Sequence, residues 1–106
     1  DELQLRGSIQ RFADLGLEIQ ITELDVPIKV TDGVTQLELD KQAKIYETMM
    51  RSCLKFKKCT MFIMWGFTDK SSWWPYAMPA LGAALPFDQN YNKKPAYFSL
   101  YNVLKQ

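Results

Sequence analysis

At 106 residues, with 47% hydrophobic residues and a formal net charge of +1, the chain is at most one domain with a buried core. So balanced a charge gives no electrostatic reason to expect nucleic acid or an anionic membrane as partner, and no apolar run approaches the roughly 20 residues that span a bilayer. With no histidine and two cysteines, the chain holds no Ser–His–Asp triad and no His-based or structural zinc site, and nothing in it asks for a cofactor. The opening D-E-L-Q-L-R lacks the basic-then-apolar pattern of a secretory signal. Either a leader has been removed or the chain did not begin here.

Residues 3–15 carry Leu5, Ile9, Phe12, Ala13 and Leu15 at helical spacing, and Gly16 follows as a stop. Residues 17–23 then alternate, with Leu17, Ile19 and Ile21 on one face and Glu18, Gln20 and Thr22 on the other. That is the period of a strand, and the β-branched residues favour it. The strand delivers two acids, Glu23 and Asp25, just before Pro27. In α/β folds built on parallel strands, chemistry sits at the carboxyl ends of the strands. A reacting carboxylate supported by a second acid fits there; two acids solvating a loop fit the same residues.

Residues 26–36 hold Pro27 and the turn pair Asp32-Gly33 and read as a loop. From 37 to 56 runs the longest helical pattern, with Leu39, Ala43, Tyr46, Met50, Cys53 and Leu54 on one face. Cys59 to Gly66 is a near-continuous apolar run of strand length, as expected of a parallel strand buried on both faces. An aromatic and polar loop follows, F-T-D-K-S-S-W-W-P-Y, and residues 75–95, with four prolines, read as irregular. Pro95 opens a last helix with Ala96, Tyr97, Leu100, Tyr101 and Leu104 inward. The order α, β, α, β, α offers two parallel strands, too few to cover each other, so the chain reads as a slice of something larger.

Trp65, Trp73 and Trp74 cluster at the strand end that would neighbour Glu23. Tryptophans mostly pack in cores. Flat aromatic faces beside carboxylates also suit a pyranose ring, with its apolar C–H faces and hydroxyl edges; that use fits Trp65 and Trp73, and packing fits Trp74. Glycoside hydrolysis needs two carboxyl groups, about 5–5.5 Å apart for retention of configuration. Besides Asp25, the other acid expected at this end is Asp69, which reads equally as a turn former.

I-T-E-L-D at 21–25 and W-G-F-T-D-K-S-S-W at 65–73 resemble the last two barrel-strand motifs of glycoside hydrolase family 10, the endo-β-1,4-xylanases. Q-A-x-x-Y at 42–46 and L-P-F-D-Q-N-Y-N-K-K-P-A-Y at 85–97 extend the likeness over nearly the whole chain. The resemblance implies a (β/α)₈ barrel, a fold of about 250 residues. Residues 1–106 would be its C-terminal part, with strands seven and eight and their flanking helices. Glu23 would be the catalytic nucleophile. Asp25 would orient it through a histidine on the preceding strand, which this chain lacks. Trp65 and Trp73 would shape the subsite of the sugar under attack, while Trp74 stands where the family is usually aliphatic.

The family's general acid lies in a W-D-V-V-N-E-like motif on the fourth strand, and nothing of that kind occurs here. The resemblance therefore implies half a site, inactive alone, with the upstream part of the barrel as partner and xylan or xylo-oligosaccharides as substrate. Cys53 and Cys59 match the disulfide of some secreted members, implying a bridge and an extracellular setting. Two other readings stay open: a different barrel β-glycosidase, such as a family 5 cellulase, and a non-catalytic sugar-binding β-sandwich presenting its tryptophans.

Overall fold

The computed structural model describes residues 1–106. Helix α1 (Glu2–Asp14) starts at Asp1, whose carboxylate accepts the Leu3 N–H at 2.7 Å. It ends where Gly16 turns left-handed at φ 81°. Strand β1 (Ile19–Leu24) follows, then a two-residue strand, β2 (Ile28–Lys29). Helix α2 (Gln36–Leu54) opens with a capping box, in which the Thr35 hydroxyl accepts from the Glu38 N–H and the Glu38 carboxylate accepts from the Thr35 N–H. Strand β3 (Cys59–Met64), a short α3 (Trp74–Ala77), a second two-residue strand β4 (Leu81–Gly82) and α4 (Pro95–Leu104) complete the chain. No helix is long and apolar enough to cross a membrane.

Strands β1 and β3 pair in parallel, with Ile19 opposite Cys59, Ile21 opposite Phe62 and Leu24 opposite Met64. Parallel neighbours need a crossover, and α2 supplies it. It packs along α4 around Tyr46, Met50, Ala96, Leu100 and Val103, and Leu24, Val26, Phe62 and Met64 press on that cluster from the strand side. The helices thus cover one face of the parallel pair.

Within this chain that arrangement covers β3 on one face only, whereas the sequence predicts both faces covered in the larger fold. Met61 and Ile63 point to the other face and stay 43% and 41% exposed. Two strands cannot close over themselves, so this face lies open within the chain. Other expectations shift. The stretches read as loop and as irregular chain each hold a short strand, β2 and β4, paired antiparallel through Ile28–Gly82 and Lys29–Leu81. Two residues show no period, so the pattern could not reveal them. On α4 the buried stripe is Ala96, Leu100 and Val103, while Tyr101 and Leu104 face outward. Tyr101 instead stacks on Tyr97, ring centres 6.2 Å apart. On α2, Leu54 is exposed, and polar Gln42 and Ser52 are buried in addition to Tyr46, Met50 and Cys53.

Cys53, at the end of α2, is bonded to Cys59, the first residue of β3. The bridge ties the crossover helix to the strand it feeds.

Candidate active site

The carboxyl ends of β1 and β3 lie side by side, and the backbone there is irregular in one place. From Ile21 to Leu24 strand β1 advances three residues, while β3 advances two, from Phe62 to Met64. The surplus residue makes a bulge at Thr22-Glu23, and Glu23 sits in it at φ 57°. Left-handed backbone costs a side-chain-bearing residue about 1–2 kcal/mol. Such strain persists where surrounding structure over-determines it, and it gathers at functional sites. The bulge breaks the strand's alternation, and Glu23 is left exposed at the strand end.

Across from it, the Trp65 N–H donates to the Leu24 carbonyl at 3.1 Å, continuing the parallel ladder by one residue. Gly66 then turns at φ 114°, and a Cβ there would lie 3.1 Å from Leu85 Cδ1. Glycine is what lets the chain swing away directly behind Trp65. Trp73 comes back toward β1, its indole Nε1–H donating to Asp25 Oδ2 at 3.0 Å. Trp65 and Trp73 remain 52% and 45% exposed. Trp74 packs against Trp73, ring centres 4.7 Å apart, and is partly buried, as expected of a packing residue.

Asp69 does something other than chemistry. Its Oδ1 accepts the Leu85 N–H at 2.8 Å and its Oδ2 pairs with Lys94 Nζ at 2.9 Å, both side chains almost wholly buried. Removing one partner of such a pair costs about 3–5 kcal/mol, because the other charge is left buried. An acid so committed is not free to serve as the second carboxyl of a glycosidase. Asp25 is likewise engaged, by Trp73. Of these three carboxylates, that of Glu23 alone makes no hydrogen bond within the chain.

Sequence reasoning missed the frame behind these residues. Gln42 Nε2 donates to the carbonyls of Val26 and Ala83, each at 2.6 Å. Tyr46, one turn further along α2, donates its hydroxyl to the Ala84 carbonyl at 2.8 Å. Burial pushes the Tyr46 phenol well above its ordinary pKa, with the charges of Asp25 and Asp69 adding to the effect, so it stays a donor. Lys94 Nζ also donates to the carbonyls of Ala83 and Leu85, at 2.6 and 2.7 Å. Burial pulls its pKa down, and Asp69 works against that shift. The signal was present in Q-A-x-x-Y, whose polar ends fall one helical turn apart on an otherwise apolar face.

A concavity of about 540 Å³ lies between α1 and α2, is lined by Leu5, Lys41, Ile45 and Met49 among others, and touches none of these residues. The candidate site is the open strand end.

A parallel β–α–β unit with an acid and an aromatic pair at its carboxyl ends is the arrangement by which α/β barrels build their active sites. Comparison with known proteins makes the assignment specific. The glycosyl hydrolase family 10 model matches residues 1–103, and the chain belongs to that family. It is 40% identical over 105 residues to endo-1,4-beta-xylanase 2 of Aureobasidium pullulans, covering 99% of this chain and 28% of that protein. Endo-1,4-beta-xylanase B of Thermotoga neapolitana is also 40% identical, over 95% of this chain and 29% of the relative. Among solved structures, xylanase 10B of Thermotoga petrophila in complex with xylobiose superposes with a TM-score of 0.94 at 42% identity. The match covers 99% of this chain and 32% of that one. The chain thus spans about 30% of the length of the relatives it matches and forms the C-terminal part of the catalytic domain. A β-sandwich sugar-binding module is excluded by the fold, and family 5 by the family match.

Proposed function

We propose that this chain carries the nucleophile half of a retaining endo-β-1,4-xylanase, contributing strands seven and eight to a barrel whose upstream part supplies the general acid. The observation that carries this reading is Glu23, an unpaired carboxylate in a left-handed bulge at a parallel strand end, with two half-exposed tryptophans beside it. Endo-1,4-β-xylanases among the relatives, and relatives solved with xylobiose and xylotriose, support xylan or xylo-oligosaccharides as substrate.

In this mechanism Glu23 attacks the anomeric carbon as the upstream acid protonates the departing sugar oxygen, giving a covalent glycosyl–enzyme. The same upstream residue, now a base, takes a proton from water, which displaces Glu23 and restores the anomeric configuration. Trp65 and Trp73 hold the sugar ring in line for attack. Asp25 orients Glu23 through an upstream histidine while holding Trp73. The disulfide and a polymeric substrate fit an extracellular setting.

The test is labelling of the full-length barrel with a 2-fluoroxyloside, whose slow second step traps the intermediate. Peptide mass spectrometry should place the label on Glu23; a label on Asp25 or Asp69 overturns the reading. Trp65→Ala and Trp73→Ala should each lower kcat/KM about 10- to 100-fold, or about 1.4–2.7 kcal/mol of transition-state binding, and Trp74→Ala should cost less. Equal losses at all three would point to packing damage. Replacing Cys53 and Cys59 together by Ala should lower the stability of the full-length barrel by about 2 kcal/mol, since the loop they close is short. The denaturant midpoint reports it, with kcat unchanged.

A further inference from the structure

We infer that Lys94 and Gln42, whose side chains make no hydrogen bond to Glu23, Trp65 or Trp73, are positioning residues that set Glu23 against its two tryptophans. The inference rests on the reading of Glu23 as nucleophile and of Trp65 and Trp73 as the sugar platform.

Those two halves of the site meet directly through two bonds, Trp65 N–H to the Leu24 carbonyl and Trp73 Nε1–H to Asp25 Oδ2. Beyond these, both halves are tied to a third piece of chain, the strap formed by residues 83–88. On the nucleophile side, the Val26 N–H donates to the Ala84 carbonyl at 3.0 Å, and Gln42 bridges the Val26 and Ala83 carbonyls. On the tryptophan side, the Phe87 N–H donates to the Phe67 carbonyl at 3.0 Å and the Asp69 N–H to the Phe87 carbonyl at 2.9 Å. Thr68 Oγ1 donates to the Asp88 carbonyl at 2.7 Å, and Asp69 Oδ1 accepts from Leu85.

The strap is not a regular element that would hold this shape by itself. Ala83 sits left-handed at φ 47°, and its carbonyl accepts from both Gln42 and Lys94. Lys94 gathers the whole: one buried ammonium holds Asp69 from the tryptophan loop and the Ala83 and Leu85 carbonyls from the strap. Three donors on one buried ammonium tie three acceptors together in space. A platform displaced by about 1 Å relative to its nucleophile can cost on the order of 100-fold in rate.

The experiment uses three variants of the full-length barrel. Lys94→Met leaves Asp69 buried without its partner and should lower both stability and kcat. The double variant Lys94→Met with Asp69→Asn removes both charges and so recovers much of the stability. It should still show kcat reduced about 10- to 100-fold with KM changed far less, because both halves remain able to bind sugar while misaligned. Gln42→Met removes only a neutral amide, leaves melting within a few degrees, and should lower kcat about tenfold. Single-turnover release from an activated aryl xyloside, per folded molecule, reads the glycosylation step directly. If activity recovers in step with melting temperature in the double variant, or if Gln42→Met keeps its kcat, the positioning role is wrong. Fluoroxyloside labelling of the unaltered enzyme keeps the two failures apart. A label away from Glu23 overturns the underlying reading, whereas a label on Glu23 with unaffected variants overturns this inference alone.

Discussion

Replacing Glu23 by alanine in the full-length barrel is expected to lower xylan hydrolysis on the order of 10⁴-fold or more while xylo-oligosaccharides still bind. The size follows from the chemistry: without the carboxylate no covalent intermediate forms, and a 10⁴-fold loss is about 5.4 kcal/mol of barrier. Azide supplied in solution should restore turnover of an activated xyloside by entering the space left by the side chain. The product should then be a glycosyl azide of inverted configuration, since a single displacement replaces two. Azide without effect, or a loss of only a few-fold, would remove Glu23 from the nucleophile's role.

The same position makes a stability prediction that a surface acid would not. Glu23→Gly should stabilise the fold by about 0.5–1 kcal/mol, the left-handed strain relieved less the extra chain entropy of glycine. Glu23→Ala keeps a Cβ at φ 57° and should gain far less. An enzyme made more stable by losing its nucleophile has strain built into its site.

What the sequence made legible was whatever is local or periodic. Alternation from Leu17 marked β1, the helical stripe through Tyr46 and Met50 marked α2, and Pro95 marked the start of α4, each close to its observed bounds. The bulge at Thr22-Glu23 was hidden because an extra residue exists only relative to the partner strand, and each residue suits a strand by itself. Asp69 could be read as a site acid or a turn former, because the lysine that engages it lies 25 residues further on. Gln42 spoiled an apolar face until its two carbonyl partners, 16 and 41 residues away, explained its burial. The family motifs therefore mix two kinds of residue. In W-G-F-T-D the tryptophan faces the open site, whereas threonine and aspartate bind the loop to the strap.

The second large effect concerns the chain made by itself. Residues 1–106 alone are expected to aggregate or oligomerise and to show no glycosidase activity. Strands β1 and β3 form a two-stranded sheet, so each keeps one edge without a partner. Their open face presents Met61 and Ile63, and Leu17, Trp65 and Phe67 add apolar surface near the strand ends, each 41–54% exposed. Unpaired edges beside apolar faces template association. The central core cluster holds five buried residues, and even whole domains keep only about 5–15 kcal/mol of net stability. Mixed with the upstream part of the barrel, the chain should associate tightly, because that part would pair both edges and cover the open face. Activity should then come with the complex and with neither part alone. Size-exclusion chromatography with light scattering, run beside a xylan assay on each part and on the mixture, checks both claims. A cooperatively folded, inert monomer of 106 residues would show that two strands close their own core after all. An active monomer would show that the second carboxyl lies within this chain, and Asp69, released from Lys94, would be the first residue to test.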